Sequence, residues 1–137
     1  MSKISDAIKT LHGPGVVIPG CTRFDLPDYF VEMGYKVGAE IGVEMGRYTK
    51  YLCVKPLKIY AIDPWLEYED FSTPTMLNQT RINKTYNYAI QNLKRFPNCT
   101  VIRKTSIEVA KDFKDNSLDF VFIDGHHGFK YVAEDLW

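Results

Sequence analysis

The stretch Val37–Thr49, which reads VGAEIGVEMGRYT, decides the fold of this chain. Its apolar start ends on Glu40, which predicts a short buried strand over residues 37–42. Gly42 and Gly46 then punctuate a turn that leads into a helix. A strand, a glycine loop and a helix in this order bring free backbone N–H groups close to a ligand, so we expect a binding loop here.

The chain beyond this loop repeats the alternation of strand and helix. Continuous apolar runs predict strands over residues 58–63, 100–104 and 118–124, and apolar residues at helical spacing predict helices over residues 48–53, 81–96, 107–113 and 131–137. Unbroken apolar strands between helices are typical of an α/β fold with a parallel sheet sandwiched by helices, a doubly wound Rossmann-like domain. Ser106 is the predicted N-cap of the helix over residues 107–113, without a capping box because Val109 stands three residues later.

The motifs divide the chain near residue 37. Residues 1–36 hold two predicted helices and no motif, so we expect an N-terminal helical cover segment there. Residues 37–137 hold the glycine loop and all four predicted strands. We therefore expect them to form the ligand-binding domain.

Composition favours a small-molecule ligand over a macromolecular one. The 137 residues include 17 basic and 17 acidic ones, with a net charge of zero and no single-sign run of five. This pattern argues against nucleic acid or a membrane surface as a partner. Cys21, Cys53 and Cys99 are far apart and the start of the chain is too polar for a signal peptide, so we expect reduced thiols in a cytoplasmic protein.

Polar side chains stand at the predicted carboxyl end of each strand. They are Glu40 before Gly42, then Asp63, Ser106 and Asp124. Since the carboxyl ends of parallel strands meet at one edge of a sheet, we expect these groups to line one ligand crevice, which we call the rim.

The spacing of the glycines narrows the choice of ligand. A dinucleotide fingerprint requires Gly-x-Gly-x-x-Gly, whereas three residues separate Gly42 from Gly46, which disfavours a nicotinamide cofactor. The pattern Glu-x-Gly-x-x-x-Gly that begins at Glu40 instead resembles motif I of the class I S-adenosylmethionine-dependent methyltransferases. With Ala-Ile-Asp-Pro-Trp at residues 61–65 and Phe-Ile-Asp-Gly-His-His at residues 122–127, the chain is similar to the small-molecule, catechol-type O-methyltransferase branch from residue 37 onward.

The resemblance implies a binding role for each motif. Asp63 matches the family's ribose-binding acid, which accepts from both hydroxyls, and Ser106 matches an adenine contact. Trp65 either stacks on the adenine or covers the sheet edge. The implied S-adenosylmethionine-binding residues are Glu40, Ile41, Gly42, Gly46, Thr49, Asp63, Pro64, Trp65, Ser106 and Asp124.

The resemblance also implies the catalytic groups. Asp124 would lie beside the sulfonium or hold a divalent metal such as Mg²⁺, and His127 is the candidate base that deprotonates a small-molecule acceptor at oxygen or nitrogen. In the family the other metal ligands come from the next strand, which this sequence does not include.

The resemblance stops at the fourth strand, whereas a complete sheet of the family has more strands. We therefore expect a truncated domain whose strand-four edge pairs with a second copy in a homo-oligomer. Two other functions stay open: a non-catalytic S-adenosylmethionine-binding fragment and a nicotinamide-dependent Rossmann oxidoreductase.

Overall fold

A computed structural model describes residues 1–10, 18, 20–67, 79–125 and 129–136. Each strand and helix predicted after residue 37 is present, with its ends shifted by a few residues. The helices are α1 (Lys3–Ile8), α2 (Leu26–Glu32), α3 (Thr49–Cys53), α4 (Gln79–Leu93), α5 (Ser106–Ala110) and α6 (Phe129–Leu136), with a 3₁₀ turn over Arg23–Asp25. The strands are β1 (Val37–Ile41), β2 (Lys58–Ile62), β3 (Cys99–Ile102) and β4 (Phe120–Ile123).

The four strands form one parallel sheet in the order β3-β2-β1-β4. The register places Glu40 of β1 between Ala61 of β2 and Phe122 of β4. The first strand, β1, therefore lies inside the sheet. β2 and β3 follow on one side of β1, and β4 pairs with β1 on the other side. This arrangement confirms the predicted α/β, Rossmann-like sheet.

Apolar side chains cover both faces of the sheet. On one face, residues of α2, α3 and α4 pack against alternate residues of the strands, such as Ile59 and Ala61. On the other face, Val109 of α5 packs with Ala39 and Ile62, and α6 lies against α5. The sheet is thus sandwiched by helices, as predicted, because each strand is apolar on both sides.

Along β4, aromatic rings cover Phe120 and Phe122, whereas the residue between them is exposed. Phe120 stacks on Phe30 of α2 with ring centroids 4.0 Å apart, and Phe122 lies 4.5 Å from Tyr48. A Cβ on Gly38 would lie 2.1 Å from the Phe120 ring, so the glycine makes room for that ring. Val121 is the exposed residue of this strand, at 49%.

The start of α5 corrects the predicted cap by one residue. Thr105, not Ser106, is the N-cap, and it forms a capping box with Glu108. The Thr105 side chain accepts from the Glu108 N–H at 3.2 Å, and the Glu108 carboxylate accepts from the Thr105 N–H at 2.8 Å. The spacing from Thr105 to Glu108 is that of a capping box, whereas the same spacing from Ser106 ends on the apolar Val109.

Two smaller expectations concern membranes and thiols. Within the described ranges, no helix has the length and apolarity needed to cross a membrane. Cys21, Cys53 and Cys99 are free thiols, and Cys53 is buried.

Candidate functional site

The glycine loop is shaped by close contact between strands. Gly42 has φ +89°, and a Cβ there would lie 2.3 Å from the Asp124 carbonyl oxygen. Any side chain at this position would therefore push the end of β4 away from the end of β1. Gly46 has φ +72° and lies against Leu93 of α4. Both glycines are required by the fold itself, whatever ligand binds.

Asp63 organises the same loop through its carboxylate. Its Oδ2 accepts from the N–H groups of Val43 at 2.9 Å and Glu44 at 3.0 Å, and its Oδ1 accepts from the Trp65 N–H at 2.8 Å. Burial raises the pKa of Asp63, although these backbone donors lower it. The Gly42 N–H also donates, to the Ile62 carbonyl. Several of the loop N–H groups that we expected to be free for a ligand therefore already have partners within the chain.

Trp65 lies inside the domain, where it packs against α4. Its indole is 3% exposed, its Nε1 donates to the Glu44 carbonyl at 2.9 Å, and its ring packs edge-on against Tyr86. The covering role is therefore the one that the geometry supports. Glu44 and Trp65 are two of the three described non-glycine residues with left-handed φ. The backbone is therefore strained both in the glycine loop and in the loop that follows β2.

Glu40 is a buried carboxyl without a complete set of partners. It is 2% exposed, and among the described residues its Oε2 has no hydrogen-bond partner. Burial raises the pKa of Glu40 to about 7; the Thr49 hydroxyl lowers it, and the charges of Asp124 and Asp63 raise it further. Thr49 is also fully buried. Although its hydroxyl affects the Glu40 pKa, it has no hydrogen-bond partner of normal geometry within the described chain.

Asp124 pairs with a residue that sequence reasoning missed. Nη1 of Arg23, from the N-terminal segment, donates to Asp124 Oδ2 at 2.5 Å. The Arg23 carbonyl accepts from the Tyr48 hydroxyl at 2.8 Å, which holds this arginine over the rim. No motif marked Arg23, because the pair joins positions 101 residues apart.

The predicted metal at Asp124 lacks support from these neighbours. In the described part of the chain, no group of three or more His, Cys, Asp and Glu side chains is placed to hold a metal ion. The partner of the Asp124 carboxylate is the Arg23 cation instead. A hard cation needs several oxygen ligands, and a guanidinium repels it.

Ser106 faces the rim but is bound to another missed residue. Its hydroxyl donates to Asp135 Oδ1 of α6 at 2.5 Å. Asp135 also approaches Gly125, where a Cβ would lie 3.1 Å from its Oδ2. No local pattern in the sequence indicates this contact, because it joins residues 29 positions apart.

The structure brings most of the predicted site together. Glu40, Asp63 and Asp124 interact electrostatically, and Ile41 and Pro64 flank them at the ends of β1 and β2. Ser106 and Asp135 lie at the Gly125 side of the same rim. His127 lies outside the described residues, so its predicted role stays a prediction.

Comparison with known proteins identifies the family. A family model described as a methyltransferase domain matches residues 39–137. The chain therefore belongs to the methyltransferase domain family. Among curated protein sequences, none matches it.

A solved structure supports the fold. The chain is similar to a protein of Staphylococcus aureus whose structure is described as that of a caffeoyl-CoA O-methyltransferase, with a TM-score of 0.56 and 17% identity. The match covers 95% of this chain and 55% of that one, so this chain spans about half of its length. At this identity the likeness is one of fold alone.

The residues at the rim fit the cofactor that the family implies. The unpartnered, buried Oε2 of Glu40 suits the ammonium group at the amino-acid end of S-adenosylmethionine. Asp63 fits the ribose less fully than expected. A carboxylate has about four acceptor positions, and backbone N–H groups occupy three of those on Asp63, which leaves room for one hydroxyl.

Proposed function

We propose that this chain is an S-adenosylmethionine-dependent methyltransferase domain that acts on a small-molecule acceptor at oxygen or nitrogen. The observation that carries the proposal is the Glu40 carboxyl, buried at the end of the central strand with one oxygen unpartnered. A buried polar atom without a partner costs free energy, and an ammonium ligand removes that cost. The family membership supports the choice of cofactor.

In this proposal the chain binds and orients the cofactor, which supplies an electrophilic methyl group when bound. Glu40 accepts from the ammonium group, with Thr49 beside it, and Asp63 accepts from one ribose hydroxyl. Ser106 donates to Asp135, yet its oxygen keeps lone pairs that can accept from the adenine amino group. Residues 37–137 would form this binding domain, with residues 1–36 as its cover.

The chemical step requires an acceptor oriented toward the methyl group and, for a hydroxyl, a base. Positioning of this kind accounts for much of the rate that such an enzyme achieves. We propose Asp124 beside the reacting centre and His127 as the base that takes the acceptor proton. We propose no metal at Asp124, because Arg23 pairs with its carboxylate.

Calorimetry with S-adenosylhomocysteine and, separately, with NADH tests the proposal. We expect S-adenosylhomocysteine to bind and NADH not to bind, since the glycine loop has no close glycine pair for a pyrophosphate. Binding of NADH alone would make the chain a nicotinamide-dependent protein. Binding of S-adenosylhomocysteine without methyl transfer to any acceptor would make it a binding fragment.

A pair of variants tests the role of the site itself. Asp63→Ala should abolish binding of S-adenosylhomocysteine, because it removes a ribose acceptor and three hydrogen bonds to backbone N–H groups, two of them in the glycine loop. Asp112→Ala is the control, since Asp112 pairs with Lys104 on the surface. Unchanged affinity of a folded Asp63→Ala variant, checked by circular dichroism, contradicts the placement of the ribose.

A further inference from the structure

Arg23 brings a positive charge from the N-terminal segment to an acidic rim. It precedes the residues that the family model matches. Its guanidinium is half exposed and donates to Asp124 at 2.5 Å. The side chain is held in place, because the guanidinium lies 5.6 Å from the ring centroids of both Phe24 and Tyr48. Arg23 is therefore a positioned group of the rim.

Within the described residues, the Arg23 guanidinium keeps N–H donors without an acceptor. Arginine carries five N–H donors in a planar fork. Nη1 donates to Asp124, whereas Nε and Nη2 of Arg23 donate to none of the residues that the structure describes. The fork can thus accept a second anionic partner without losing Asp124. A carboxylate matches two parallel donors of such a fork.

The charges around Arg23 indicate which anion belongs there. Glu40 and Asp124 are acidic, and the charge of Arg23 acts on Glu40, whose pKa it lowers. An α-amino acid group carries an ammonium and a carboxylate on one carbon atom. Glu40 suits the ammonium, and the carboxylate then needs a cation close by. The charges at this end of the rim match both halves of that group.

A second arginine near the rim, Arg103, is already engaged. Arg103 donates to the Trp65 carbonyl at 3.2 Å and to Asn83 at 2.7 Å, and its guanidinium lies over the Tyr86 ring. Its charge acts on Asp63, at the ribose side of the rim. Of these two arginines, Arg23 is the better-placed partner for the amino-acid end, because it pairs with Asp124 and acts on Glu40.

We propose that Arg23 binds the α-carboxylate of the cofactor's amino-acid end while Glu40 accepts from its ammonium group. This inference rests on the proposed function. It assigns a ligand-binding role to the N-terminal segment, where the sequence holds no motif. It also means that residues 37–137 do not complete the cofactor site by themselves.

Calorimetry with two ligands tests the inference. One ligand is S-adenosylhomocysteine, and the other is 5′-deoxy-5′-(3-aminopropylthio)adenosine, which lacks only the α-carboxylate. The native chain should bind S-adenosylhomocysteine about ten- to a hundredfold more tightly, as for a hydrogen bond to a charged group. In Arg23→Gln this difference should disappear through weaker binding of S-adenosylhomocysteine alone. Arg95→Gln, at the other end of the sheet, is the matched control and should keep the difference.

The possible outcomes distinguish a failure of this inference from a failure of the proposed function. If Arg23→Gln still prefers S-adenosylhomocysteine as the native chain does, or weakens both ligands equally, the proposed role of Arg23 is wrong. If the native chain binds neither ligand, the proposed function itself is wrong. Arg23→Lys keeps the charge without the fork, and it should retain an intermediate preference if Arg23→Gln does not fold.

Discussion

Glu40 links the stability of the fold to its candidate function. A carboxyl buried in a strand of the sheet destabilises the fold when it is charged, because the carboxylate loses its hydrating water. Burial raises its pKa from 4.5 to about 7, so near neutral pH this group exchanges its proton. An ammonium ligand would favour the charged form and would lower that pKa again. A buried carboxyl with a raised pKa beside a ligand crevice is typical of a binding site.

The stability of the chain should therefore fall as pH rises from about 4.5 to about 7. In this window the folded state keeps the Glu40 proton that the unfolded state releases, so the stabilisation is complete below 4.5 and lost above 7. Relative to Glu40→Gln, the native chain should lose up to about 3 kcal/mol of unfolding free energy across the window. Urea unfolding at a series of pH values measures this difference.

The control for this prediction is Glu67→Gln, at an exposed glutamate. Its unfolding free energy should follow that of the native chain at every pH. A Glu40→Gln profile that also runs parallel to the native one would show that Glu40 does not titrate in this range.

At the scale of the element, α5 depends on its first turn. A helix of five residues has little stability from its own backbone hydrogen bonds. The capping box between Thr105 and Glu108 satisfies two N–H groups that would otherwise lack partners. Ser106, the residue that follows the cap, donates to Asp135 at the rim. The cap therefore stabilises the helix that carries this residue of the site.

Thr105→Ala should lower the unfolding free energy by about 1 kcal/mol, the usual cost of a lost N-cap. Thr10→Ala is the control, because the exposed Thr10 hydroxyl donates to the Ala7 carbonyl in the turn that follows α1 and caps no helix. Urea unfolding of both variants measures the difference. A loss no larger for Thr105→Ala than for Thr10→Ala would mean that the capping box contributes nothing.

For the whole molecule, β4 is one of the two edge strands of the sheet, and β3 is the other. β4 pairs with β1, and its outward side pairs with no other described strand. Phe120 and Phe122 are covered by aromatic rings, while Val121 is 49% exposed. An open strand edge with free N–H and C=O groups can pair with another chain.

The 137-residue chain should therefore self-associate through β4. Light scattering across a range of concentrations should show a mass that rises above that of the monomer. Val121→Lys should return the chain to a monomer, because a lysine blunts such an edge, whereas Val54→Lys, at another exposed valine, should not. A native chain that stays monomeric at all concentrations contradicts this prediction.

The sequence predicted the sheet and its acidic rim well, for a simple reason. Glu40, Asp63 and Asp124 end strands that are continuous apolar runs, and parallel strands end at a common edge. Trp65 shows the limit of such reasoning. An aromatic residue after a strand can face a ligand or the core, and only the helix that packs beside it decides which.

The sequence by itself determined the α/β class, the strand pattern and the acids that face one another, because these depend on local hydrophobic periodicity. Tertiary structure alone decided that Asp63 holds the glycine loop, that Ser106 meets Asp135, and that Arg23 pairs with Asp124. These contacts join segments that are distant in the chain. A local sequence pattern does not indicate which distant donor will bind a given carboxylate. The loop around Gly42 was predicted as a place for a ligand; its glycine proves to be required first by the backbone of β4.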